Sequence, residues 1–102
     1  MTSSMRAAVV TAATGPGAVE ILEVPAPTPR AGELLVAVEA VGVSFPDLLL
    51  SQGRYQVRPE PPFVLGLDFA GTALSAAPGL AEGQRVAGIV SHGAAAERVC
   101  AP

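Results

Sequence analysis

The chain has 102 residues, half of them apolar but only 4% aromatic, so any core must be built from Val, Leu, Ile and Ala. One domain of this size buries roughly 64% of its unfolded surface. Charged residues are only 15% of the chain, below the usual quarter or so, which suggests that another domain or subunit covers part of the surface. Net charge is -3, and the six Arg are scattered with no Lys at all, so no basic stripe exists to neutralise phosphates and nucleic-acid binding is set aside. A single cysteine, Cys100, rules out an intrachain disulfide and a C-x-x-C zinc site. Met1 to Val10 lacks the apolar central region of a signal peptide. No apolar run approaches the roughly 20 residues that span a bilayer, so the expectation is a soluble cytoplasmic protein.

Met5 to Ala12 reads as a first strand ending at the Thr14-Gly15-Pro16-Gly17 turn, and Val19 to Val24 as a half-exposed strand with Glu20 and Glu23 on its polar face. Pro25, Pro27 and Pro29 then force an extended connector up to Ala31-Gly32. Glu33 to Val43 is the longest strand expected, and because both its faces are apolar it should be central; Gly42 hints at a bend or close backbone approach near its end. A two-turn helix follows, with Ser44 as N-cap, Asp47 as capping-box partner, Pro46 in the first turn and Gly53 at the C-terminal position. Arg54 to Pro62 is a loop. Leu67 to Ala76, Gln84 to Val90 and Ala94 to Val99 read as further strands, split by turn signals. Many short strands at this spacing predict a mainly β fold, a small barrel or sandwich.

Single residues carry weak chemical signals. His92, the one histidine, lies in an expected loop and reads as a solvated side chain before a catalytic one. Cys100 reads as a small buried apolar residue. Asp68, in an apolar setting, should be hydrogen-bonded to backbone or paired with an Arg. Gly15-Pro16-Gly17 follows a strand but lacks the third glycine and the helix that hold a dinucleotide's pyrophosphate.

Six segments in order resemble the medium-chain dehydrogenases and reductases, in their quinone oxidoreductase branch. They are Pro25 to Val36, Gly42-Val43-Ser44-Phe45-Pro46-Asp47-Leu48-Leu49, Gln52-Gly53-Arg54-Tyr55, Pro62 to Gly71, Glu82 to Val86, and Ala96-Glu97. The resemblance implies a GroES-like partly open β-barrel with one or two short helices. It also implies a catalytic domain that is incomplete over 1–102 and lacks its nucleotide-binding Rossmann domain. Zinc-dependent relatives have Cys where Ser44 stands and His-Glu where Leu67-Asp68 stand, so no zinc is expected, because a hydroxyl and an alkyl side chain are not its ligands.

By position, Ser44, Asp47, Leu49 and Tyr55 would face the cleft that holds NADP(H) and a quinone or enone. Three departures stand out: Ser44 replaces a common Asn, Leu49 a frequent Tyr, and Leu65 a frequent Pro. No catalytic residue or metal ligand is assigned. The function implied is hydride transfer from NADPH to a quinone or activated alkene, inactive without the second domain. The alternatives are a non-enzymatic GroES-like module assembling as a homo-oligomer, an enoyl reductase fragment of polyketide or fatty-acid type, and a split or degraded gene product with no activity.

Overall fold

The computed structural model describes residues 4–102. Seven strands carry the fold: β1 Ser4–Val10, β2 Val19–Pro25, β3 Leu34–Gly42, β4 Phe63–Val64, β5 Asp68–Ala73, β6 Arg85–Ile89 and β7 Arg98–Ala101. One helix, α1 Phe45–Ser51, and a 3-10 turn at Pro16–Ala18 complete the elements. Two antiparallel sheets form, a three-stranded one in the order β2-β1-β4 and a four-stranded one in the order β6-β5-β3-β7. This is the mainly β, partly open GroES-like architecture that the resemblance implies.

Main-chain hydrogen bonds tie the two sheets together. Residues 94–97 cross between the sheets: Ala8 N–H donates to the Ala95 carbonyl, Glu97 N–H to that of Arg6, and Val38 N–H to that of Glu97. The expected strand over Ala94 to Val99 is therefore displaced, because its first half bonds to β1 and to the corner at Leu65-Gly66, and only Arg98–Ala101 pairs with β3. That corner needs glycine. Gly66 has φ +99, and a Cβ there would lie 2.5 Å from the Ala95 nitrogen.

β3 is central, as its two apolar faces require, with β5 on one side and β7 on the other. Its register against β5 shifts between Val38 and Ala40. The close backbone approach falls on the facing strand at Gly71, where a Cβ would sit 2.0 Å from the Ala37 carbonyl oxygen. Gly42, where a bend was expected, stays within β3 opposite Asp68.

Two apolar clusters fill the interior. Leu34, Val36, Phe69, Ala73, Ala94, Val99 and Ala101 form the larger one inside the four-stranded sheet. Val10, Leu50 and Phe63 form the smaller, with Val19, Tyr55, Leu65 and Leu67 packed against it. Leu50 ties α1 to this second cluster, a burial worth about 1.5–3 kcal/mol. The C-terminal end of α1 is fixed as well, because the Ser51 carbonyl accepts the Gly15 N–H at 2.9 Å.

Candidate active site

The register brings three distant chain segments to one end of the four-stranded sheet. Gly42 pairs with Asp68, and Asp68 with Ile89. Ser44, Leu67 and Val90 therefore emerge side by side, and Val90 N–H donates to the Leu67 carbonyl at 2.8 Å. A cavity of about 560 Å³ opens beside this end, with Tyr55, Val57, Leu67, Ile89, Val90 and His92 among its walls and Glu33 and Cys100 farther along.

Ser44 is exposed at the head of α1. Its capping box with Asp47 is in place. Asp47 Oδ2 accepts the Ser44 N–H at 2.9 Å and the Ser44 hydroxyl at 3.2 Å, which fixes that hydroxyl at the sheet end. Asp47 itself is buried, and its Oδ1 has no partner among the described residues. Leu49 is half-buried, and its carbonyl accepts the N–H groups of Gln52 and Arg54, closing the helix. Tyr55 lines the cavity and packs on the Leu50 cluster. The carbonyl of Tyr55 accepts from Arg58 Nε at 3.2 Å. Of the four cleft residues, Tyr55 lines this cavity, Ser44 caps α1 just beyond β3, and Asp47 acts through Ser44.

Three residues depart from their sequence reading. Asp68 is exposed at the start of β5, so water solvates its carboxylate, and neither a backbone clamp nor an Arg is required. His92 is not simply solvated. Its ring stands edge-on to Phe63 at 5.6 Å, and its Nδ1 is buried without a partner among the described residues. Cys100 is only half-buried and lines two cavities; burial first, and the Glu33 carboxylate second, push its thiol above the ordinary range.

Exposed apolar side chains mark this end of the sheet: Val43 at 90%, Ile89 at 73% and Phe45 at 68% exposure, with Val41, Leu48 and Val57 less so. Such a cluster on a chain this poor in charge marks an interaction face. Among the described residues no group of three or more His, Cys, Asp or Glu could hold a metal ion. No helix is long and apolar enough to cross a membrane.

Residues 30–102 match the alcohol dehydrogenase GroES-like domain family. The chain belongs to that family. A probable oxidoreductase from Mycobacterium abscessus superposes with a TM-score of 0.92 at 38% identity, covering 97% of this chain and 32% of that one. The quinone oxidoreductase from Thermus thermophilus, solved also as its complex with NADPH, gives a TM-score of 0.81 at 38% identity over 96% of this chain and 30% of that one. Human synaptic vesicle membrane protein VAT-1 homolog-like is 34% identical over 101 residues, which are 96% of this chain and 24% of that protein. These matches bear out the resemblance to the quinone oxidoreductase branch of the medium-chain dehydrogenases and reductases. The GroES-like chain thus spans about a third or less of the length of these relatives.

Proposed function

We propose that this chain is the catalytic-domain portion of an NADPH-dependent oxidoreductase that delivers hydride to a quinone or an activated alkene without zinc. The observation that carries the reading is the cavity walled by Leu67, Val90 and Tyr55 beside an exposed apolar rim, whose Val43 directly precedes Ser44 at the head of α1. An NADPH-bound relative of the same fold supports the choice of cofactor.

The residues present suit one end of such a cofactor and not the other. A nicotinamide ring needs a flat, mostly apolar wall with a few polar handles, which Leu67, Val90 and Tyr55 offer. The pyrophosphate needs a glycine loop opening a helix, and Gly15-Pro16-Gly17 opens only a three-residue 3-10 turn. A dinucleotide-binding domain must supply that half, and the rim of Val43, Phe45 and Ile89 is the face it would cover. When bound, the cofactor supplies the hydride.

The chain's own residues then do three things. Leu67, Val90 and Ile89 exclude water from the acceptor. The Tyr55 hydroxyl orients the acceptor's carbonyl oxygen, and Ser44, its hydroxyl proton given to Asp47, is left to accept a hydrogen bond from the cofactor. The third is to leave the metal position empty of ligands: thiolate, imidazole or carboxylate would be needed, and Ser44 and Leu67 offer a hydroxyl and an alkyl group.

Fluorescence titration of the 102-residue chain with NADPH, with oxidation followed in the presence of a simple quinone, tests this reading. It predicts neither saturable binding nor turnover by the chain alone. Family-like turnover by the isolated chain would overturn it.

A further inference from the structure

A second cavity, of about 480 Å³, lies between the three-stranded sheet and β7. Met5 and Val9 from β1, Val24 from β2, Phe63 and Val64 from β4, and Val99 from β7 make its apolar walls. Met5 and Val9 both point inward and are four residues apart, so the cavity follows β1 for about 13 Å.

Its polar side chains are few, and its one formal charge is positive. Arg98 and His92 line it, and no Asp or Glu does. The buried, unpartnered Nδ1 of His92 is a polar atom that ordinarily finds a hydrogen bond. Three of the rim residues are Pro25, Pro27 and Pro62, which have no N–H to give a strand ladder. A polypeptide strand is therefore a poor occupant, whereas a flexible apolar chain needs no ladder.

We propose that this cavity binds an aliphatic carboxylate, its hydrocarbon chain along β1 between Met5 and Phe63 and its carboxylate at Arg98. His92 and Cys100 line both this cavity and the one at the sheet end, so they form the wall between them. The inference does not depend on the reductase reading, since it is tested without cofactor or turnover.

The test is titration of the full 102-residue chain with dodecanoate, and separately with dodecanol, by calorimetry and by the NMR signals of the single histidine. One dodecanoate per chain is expected, with His92 signals shifting in step and dodecanol binding at least about tenfold more weakly, the loss of one charge-assisted contact. Arg98→Gln should bring dodecanoate down to the dodecanol level and leave dodecanol unchanged. Val24→Trp, at the half-buried rim, should weaken both ligands by filling the space. Absence of saturable binding, equal affinity for the two ligands, or binding that leaves His92 unmoved would each overturn the proposal. Protection of Cys100 from a thiol reagent by dodecanoate, with no protection in Arg98→Gln, is a second readout that supports it.

Discussion

The two ends of β3 are built from the same kind of residue and meet opposite fates. At its start Leu34 and Val36 are buried between β5 and β7 in the larger core cluster. At its finish Val41 and Gly42 are exposed, and Val43 just beyond is 90% exposed. Packing explains the first end, since neighbouring strands in the same chain cover it. Nothing among the described residues covers the second, and the helix cap, Leu67 and the Tyr55 cavity gather there. The difference teaches that apolar character alone does not mark the core; the uncovered end is the face that, on the proposed function, a second domain would cover.

The comparison can be broken first at the bulge between the two ends. Gly71→Ala would drive a Cβ to 2.0 Å from the Ala37 oxygen, so β3 and β5 must part. Urea denaturation should show a loss beyond about 4 kcal/mol, or no folded state; a mild loss would mean the ladder is looser than described. Leu34→Ala, at the buried end, should cost about 2–5 kcal/mol by the same measurement. Asp47→Ala removes the acceptor that holds Ser44 and should cost about 1–2 kcal/mol. At the exposed end, Val43→Ser and Phe45→Ser should change stability by less than about 0.5 kcal/mol. They should nonetheless weaken any self-association seen by sedimentation, and a large stability loss would show that the rim is packed within the chain.

Cys100 gives the smallest effect and the one that depends on pH. Burial and Glu33 favour the neutral thiol in the folded state, so its folded pKa lies above its unfolded one. Its stabilising contribution is complete below the unfolded pKa and is lost as pH rises through the folded value. Alkylation of Cys100 should accordingly be slower in the folded chain than in urea at mildly alkaline pH. Equal rates would place the thiol in water.

Much of this was legible in the sequence, for stated reasons. Ser44 and Asp47 announce α1 because a capping box is a local device, complete within four residues. The centrality of β3 follows from its two apolar faces. What escaped is what depends on partners far along the chain. His92 meets Phe63, and 94–97 bridges β1 and β3 where a plain β3 partner is expected, because of contacts no local pattern encodes. Asp68 sits among apolar residues in sequence yet reaches solvent, since it stands at the sheet end. Alternation tells which residues share a face; it does not tell whether the chain itself covers that face.

The most direct test of the account is a graft. This chain would replace the matching segment of the Thermus thermophilus quinone oxidoreductase, and NADPH-dependent quinone reduction would be measured with zinc present and with a chelator. The account predicts quinone reduction by the graft, unchanged by the chelator, and none by the 102-residue chain alone. A graft that folds and binds NADPH but reduces no quinone, or one that needs zinc, would contradict it.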